Sequence, residues 1–117
     1  KHIHIGDFTT ESGYALMKEA LTKKDYAEVY FCANDSIAFG ALRAIHEKGL
    51  KIPEEIAIVG FNDNPNSEFT FPPLSTIRVY TEFMGEQSLV SLCDMIEGRS
   101  IPIKKIVPTK LVKRSTF

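Results

Sequence analysis

The 117-residue sequence has no excess of charge of either sign, since 14 basic and 15 acidic side chains leave a formal net charge of −1. Without a concentrated basic surface, this chain is a poor DNA binder on its own. It has only two cysteines, Cys32 and Cys93, too few for a disulfide framework. Both lie in apolar runs, Tyr30-Phe31-Cys32-Ala33 and Leu92-Cys93-Asp94-Met95, which predicts buried free thiols in a reducing, cytoplasmic compartment. No stretch approaches the ~20 apolar residues of a membrane span, and no charged-then-apolar leader opens the chain. Disorder and fibrous structure are excluded by 44% hydrophobic and 25% charged residues, ordinary values for one globular domain with a real core. Lys1 stands directly before a strand-like run, so the expectation is a piece of a longer protein.

Enzymatic signatures are missing as well. There is no G-x-G-x-x-G and no phosphate loop. Ser12, in Glu11-Ser12-Gly13-Tyr14, lacks the flanking glycine of a nucleophile elbow and reads as a first-turn helix residue. His2 and His4 share one strand face, but no further ligand follows at metal spacing, which favours solvent-facing or lightly packed histidines. The 62–67 stretch resembles a calcium loop only in its Asn and Asp content, lacking the turn glycine and the closing glutamate. The expectation is no catalysis, no metal and no cofactor.

What is present is an alternation of strands and helices. His2-Ile3-His4-Ile5 predicts a short strand ending at Gly6, and Tyr14, Met17, Ala20 and Leu21 predict a helix over about 11–22 with Thr9 or Thr10 as cap. Val29-Tyr30-Phe31-Cys32-Ala33 predicts a strand covered on both faces. A helix over 35–48 follows, capped by Asn34 or Asp35 and stopped by Gly49. Ile56-Ala57-Ile58-Val59-Gly60 and Thr76-Ile77-Arg78-Val79-Tyr80 predict two more strands, separated by turn chemistry at 62–67. Thr81 is the expected cap of a helix ended by Gly98, and the tail predicts two short β pieces around Pro108. The fold class is α/β, a parallel sheet flanked by helices. The 35–48 helix carries Ile37, Ala41, Ala44 and Ile45 on one face and Phe39 and Leu42 on another. Its second face requires a second layer, either a subunit interface or a loop over 68–73 of the same chain. The 82–97 helix, with Gly85, Leu89, Leu92, Cys93 and Ile96 in a stripe, carries more apolar surface than so small a sheet can cover.

Three strand ends carry polar groups: Asp7-Phe8, Asn34-Asp35 and Phe61-Asn62-Asp63. In open α/β sheets ligands bind at that edge. Carboxamides, carboxylates and an aromatic ring suit a sugar, although Asp7, Asn34, Asp35 and Asp63 equally suit helix caps and turns.

At these residues the chain resembles the LacI/GalR family of bacterial transcriptional repressors. Gly6-Asp7-Phe8-Thr9-Thr10-Glu11-Ser12-Gly13-Tyr14 is similar to the family's G-D-F-x-x-E-S-G-Y, and Asn34-Asp35-Ser36-Ile37-Ala38-Phe39-Gly40-Ala41-Leu42-Arg43-Ala44 to its N-D-x-x-A-x-G-A-x-R-A. Val59-Gly60-Phe61-Asn62-Asp63 resembles V-G-F-D-D, and Pro72-Pro73-Leu74-Ser75-Thr76-Ile77 resembles P-P-L-T-T-[VI]. Met84-Gly85 resembles the start of the following helix, and Leu111-Val112-Lys113-Arg114-Ser115 the terminal L-[IV]-x-R-x-S. Phe69-Thr70-Phe71-Pro72-Pro73 and Tyr80-Thr81-Glu82-Phe83-Met84-Gly85-Glu86 look most like galactose- and galactosidase-operon repressors.

The resemblance implies a two-lobed, periplasmic-binding-protein-like sensor. Residues 1–77 would form most of the C-terminal lobe, 78–102 the crossover and a helix of the N-terminal lobe, and 103–117 the returning strands. It implies a galactoside-like sugar effector held by Phe8, Asn34, Asn62, Asp63, Thr81 and Met84. Asn62 stands where the family usually has aspartate, exchanging a charged acceptor for an amide, and Asp63 is the residue that orders the loop. The arginine that the family supplies from an earlier segment is not in this chain. A homodimer is implied through Phe39, Leu42, Arg43, Thr70 and Phe71, and operator DNA would be met only through a head absent here. The competing expectation is a periplasmic or extracellular sugar-binding receptor of a transporter, which shares the fold.

Overall fold

A computed structural model describes residues 2–117; Lys1, the expected start of the first lobe segment, lies outside the described residues. The elements run α1 (Thr10–Ala20), β1 (Val29–Phe31), α2 (Asp35–Lys48), β2 (Ala57–Asn62), a 3-10 turn (Pro65–Glu68), β3 (Ser75–Arg78), α3 (Thr81–Ile96) and β4 (Lys110–Val112). One sheet has the order β1-β2-β3-β4. Its β1–β2 and β2–β3 pairs are parallel, while β4 returns antiparallel and sets Val112 opposite Thr76.

Local chemistry explains the helix ends. The Thr9 hydroxyl accepts the Ser12 N–H at the start of α1, and Asn34 Oδ1 accepts the Ile37 N–H at 2.8 Å at the start of α2. Each such cap satisfies a donor that the helix cannot. Gly49 ends α2 with φ 78°, a left-handed C-cap suited to glycine.

α2 packs on β2 with one side and on α1 with the other. The second layer expected for this two-sided helix therefore comes from the same chain. Leu42 is 4% exposed and belongs to the core with Met17, Leu21, Ala41, Ile45, Ile58 and Leu74, while Phe39 packs half-buried against it. Each large aliphatic side chain buried this way contributes about 1.5–3 kcal/mol. The two helices meet almost backbone to backbone: a Cβ on Gly40 would collide with the Thr10 carbonyl, and one on Gly13 with the Ile37 carbonyl.

The end of the chain is sewn into the sheet. Thr116, fully buried, donates its hydroxyl to the Ile58 carbonyl at 2.7 Å and accepts the Ser75 N–H at 2.8 Å, while its own carbonyl accepts the Ile58 N–H. This fills the ladder positions of β2 that lie before β3 begins.

Several expectations are corrected. Residues 2–5 form no strand and pair with no strand of the sheet; His4 instead sets its ring beside Tyr30 at a centroid distance of 6.1 Å. β1 is consequently an edge strand, open on one face, with Val29 and Phe31 exposed. Thr81 is the first helical residue of α3, and the cap position is Tyr80, which makes no side-chain cap bond. Of the two tail pieces only β4 pairs, because 103–107 has no neighbouring strand to bond. Cys32 is buried, but Cys93 is exposed because no residue of α3 is buried. Burial first, and the negative charge of Asp35 second, push the Cys32 thiol up to about 12, so it is an inert core group.

Gly40→Ala should destabilise the protein by about 2 kcal/mol or more, because the colliding atoms are backbone and cannot rotate away. Gly85→Ala, where an added Cβ meets nothing within 4 Å, should be neutral or stabilising by up to ~1 kcal/mol. Urea unfolding of both variants decides this, and equal midpoints would contradict the close helix contact.

Candidate functional site

The carboxyl ends of β1, β2 and β3 form one edge of the molecule, and the helices that follow them start there. After β1 the chain turns into α2 through Asn34. Its carboxamide is used twice: Oδ1 caps α2, and Nδ2 donates to the Phe8 carbonyl at 3.2 Å. That second bond brings the segment before α1 to the same edge and leaves the Phe8 ring 70% exposed beside it. Two of the expected site residues are therefore joined directly.

Asn62 ends β2 exposed, with φ 103°, and Asp63 follows with φ 57°. Asn and Asp are among the few side chains that tolerate the left-handed region. Both oxygens of Asp63 are engaged by arginines: Oδ2 accepts Arg78 Nε at 2.6 Å and Oδ1 accepts Arg114 Nη2 at 2.8 Å. Burial pushes its carboxyl up, but the hydrogen bonds and charges of Arg114 and then Arg78 outweigh it and hold the group below the ordinary aspartate value. Thr81 and Met84 sit exposed in the first turn of α3. Among the described residues no hydrogen bond ties either to Phe8, Asn34 or Asn62.

The residue that organises this edge is Asp35, which the sequence offers as a helix cap or a strand-end polar group. Asp35, 2% exposed, accepts the Asn64 N–H and the Ser67 hydroxyl on Oδ2, at 2.6 and 3.1 Å, and the Thr76 hydroxyl on Oδ1 at 2.6 Å. Gly60 leaves it room, since a Cβ there would strike Oδ1. The signal available in the sequence was a hydroxyl pair, Ser75-Thr76, inside an otherwise apolar strand: buried hydroxyls need partners. Phe31 was also missed. It is exposed at the end of β1 and meets Phe61 edge-on, with ring centroids 6.2 Å apart.

The residues expected at a subunit contact differ in exposure. Phe71 is 87% exposed, and its neighbour Phe69 is exposed as well. Arg43 is exposed, bonded to Glu47 and placed over the Tyr14 ring. The Thr70 hydroxyl lies within bonding distance of the Ser67 and Pro72 carbonyls, so it shapes the loop. Leu42 is in the core. Among the described residues no three His, Cys, Asp or Glu side chains cluster as metal ligands, and no helix is long and apolar enough to cross a membrane.

The sequence profile of the periplasmic binding protein-like domain family matches residues 2–117. The chain is 41% identical over 116 residues to the HTH-type transcriptional repressor MelR of Bacillus subtilis, covering 99% of this chain and 34% of that protein. It is 39% identical over 106 residues to a lactose operon repressor of Rhizobium radiobacter, covering 91% of this chain and 94% of that sequence. Among solved structures, the lac repressor dimer bound to operator and the anti-inducer ONPF superposes with a TM-score of 0.89 at 33% identity, over 95% of this chain and 39% of that one. A complex of the transcriptional regulator CelR with cellobiose superposes with a TM-score of 0.89 at 34% identity, over 96% of this chain and 35% of that one. The chain spans about a third of the length of the first relatives it matches.

Because the folded-state titration of Asp63 is depressed, its ion pairs stabilise the fold above the ordinary value of 3.8 and are lost as pH falls through the lower folded value. Asp63→Asn should therefore be less stable than the wild type at pH 7, with the gap shrinking steadily below pH 3.8. Denaturant midpoints taken from pH 7 down to pH 2 test this; a gap that does not narrow on acidification would mean the pairs do not form.

Proposed function

The chain belongs to the LacI/GalR family of transcriptional regulators, and from that membership we propose that it is the effector-binding and dimerising part of a sugar-responsive repressor. The observation that carries this reading is the bond from Asn34 to the Phe8 carbonyl, which sets an exposed aromatic ring beside a carboxamide at the strand ends. A ring against the apolar face of a pyranose and an amide at its hydroxyls form half of a sugar site. Asn62, Thr81 and Met84 supply further contacts from the neighbouring segments, and Asp63 holds the loop that presents Asn62. The protein acts by binding and not by catalysis. It works in the cytoplasm, where operator DNA is met through a head outside this chain.

The exposure of α3 supports the lobe division. A helix of 16 residues with none buried, exposing Phe83, Leu89, Leu92 and Ile96, requires a cover. Residues 1–77 form the C-terminal lobe, 78–102 cross into the N-terminal lobe and supply its helix, and 103–117 return. The effector sits between the lobes and biases their arrangement, and the dimer passes that bias to paired DNA-binding heads. Cellobiose in the CelR complex supports a sugar, and the resemblance to galactose-operon repressors favours a galactoside. The exposed Phe71, with Phe39, Arg43 and Thr70 near it in the family's arrangement, forms the dimer face.

Asn34→Ala is a poor test of the sugar contact, since it also removes the α2 cap and costs ~1 kcal/mol of stability. Asn34→Ser keeps a capping oxygen and removes the carboxamide. In the whole protein it should bind its sugar about tenfold or more weakly, while stability falls by no more than the ~1 kcal/mol of the lost bond to the Phe8 carbonyl. Calorimetric titration with galactose, methyl galactoside and cellobiose measures this, and wild-type affinity in the variant would remove Asn34 from the site. Phe71→Glu should weaken dimerisation about a hundredfold by placing a charge in an apolar contact, read by sedimentation; a normal dimer would move the interface elsewhere.

A further inference from the structure

Asn62 and Asp63 are consecutive non-glycine residues with positive φ, 103° and 57°. A backbone in this region persists only where its surroundings over-determine it, and here the restraints can be named. Asp63 Oδ2 accepts Arg78 Nε at 2.6 Å, Asp63 Oδ1 accepts Arg114 Nη2 at 2.8 Å, and the next N–H, that of Asn64, donates to the buried Asp35 at 2.6 Å. Arg78 is the last residue of β3 and stands immediately before the 79–81 passage into α3. Arg114 lies just beyond β4, and its guanidinium also donates to the Leu74 carbonyl at 2.8 Å. One carboxylate therefore joins three segments: the loop that carries Asn62, the exit from β3 towards α3, and the chain returning through β4.

We propose that Asp63 is a positioning residue that, through Arg78 and Arg114, both aims the Asn62 carboxamide at the effector and couples that loop to the passage into α3. The proposal rests on the sensor reading above and adds a specific link to it. Its physical content is a pair of salt bridges with unequal ends. Arg114 is 17% exposed and fixed at the sheet, whereas Arg78 is 46% exposed, so Arg78 is the arm able to change its hold on Asp63. A ligand that pulls on Asn62 moves Asp63 with it and alters the grip on Arg78. By linkage, the arrangement of α3 then feeds back on Asn62 by the same factor. Coupling of this kind needs a demonstrated energetic tie as well as adjacency, so the test reads the tie itself.

The test uses the whole protein that carries this chain, with Asp63→Asn, Arg78→Gln and Arg78→Lys. Without sugar, amide hydrogen exchange in Asp63→Asn and Arg78→Gln should accelerate about tenfold at both 61–64 and 78–81. The α1–α2 amides should stay unchanged, and Arg78→Lys, which keeps the charge, should recover part of the protection. In the second arm, operator affinity is measured without and with saturating methyl galactoside or cellobiose. The ratio of the two affinities should fall at least about fivefold in Asp63→Asn and Arg78→Gln. A merely structural role would lower thermal stability and leave that ratio unchanged. Exchange that accelerates at 61–64 alone, or a wild-type ratio in folded variants, overturns the proposal. If the wild type responds to none of these sugars, the sensor reading fails, and the exchange arm alone decides whether Asp63 couples the two segments.

Discussion

The buried carboxylate of Asp35 determines where three other parts of the chain must go. It lies in the first turn of α2 among apolar neighbours, where an unpaired charge would cost several kcal/mol. The hydroxyls of Thr76 and Ser67 and the backbone N–H of Asn64 compensate it, each charge-assisted bond contributing about 1.5–3 kcal/mol. Satisfying one acid therefore registers β3 against α2, folds the turn after β2 back towards the helix start, and excludes any side chain at position 60. The positive-φ pair at Asn62 and Asp63 follows from the same requirement, because the chain must reverse there for the Asn64 N–H to reach Asp35.

Packing energy is distributed very unevenly. α1, α2 and the inner strands close a dense core, with Ala38, Ile45, Ile56, Ile58 and Leu74 fully buried. Between Arg78 and the buried Thr116 the chain buries nothing: 79–115, α3 included, hold no buried residue. A 16-residue helix is only marginally stable in water by propensity alone, so its order and its apolar surface both depend on contact with more protein. The change falls at the end of β3, beside the Asp63–Arg78 pair, where the proposed crossing begins.

The sequence was most legible where short-range chemistry decides. Asn34 and Gly49 bracket α2 as read, Thr9 caps α1, and the apolar runs at 29–33 and 56–60 are strands. It was misleading where a partner outside the local segment decides. His2-Ile3-His4-Ile5 alternates as a strand does, yet alternation supplies no neighbour to bond. Cys93 sits in an apolar run on a helix that has nothing to pack against. Asp35 and Thr116 were hidden for the opposite reason. Each is a polar residue with a plausible local role, and only the fold shows that their partners lie 29 to 58 residues away. The resemblance proposed positions for a ligand, but did not show that Asp63 holds two arginines or that Leu42 is internal.

At the candidate site, structural duty and ligand duty fall on different residues to different degrees, and this limits how the site can vary. Asn34 holds α2 and Phe8 at once, so replacing it changes the helix start together with any ligand contact. Asp63 is committed to two arginines. Asn62 differs: it is exposed, its conformation is fixed by its neighbours, and it caps nothing. It is also the position where this chain carries an amide in place of the aspartate usual in the resembling family. An amide presents both a donor and an acceptor without charge, whereas a carboxylate only accepts. In the proposed sensor, the pattern of sugar hydroxyls that this edge satisfies is therefore set at Asn62, while the scaffold around it stays the same.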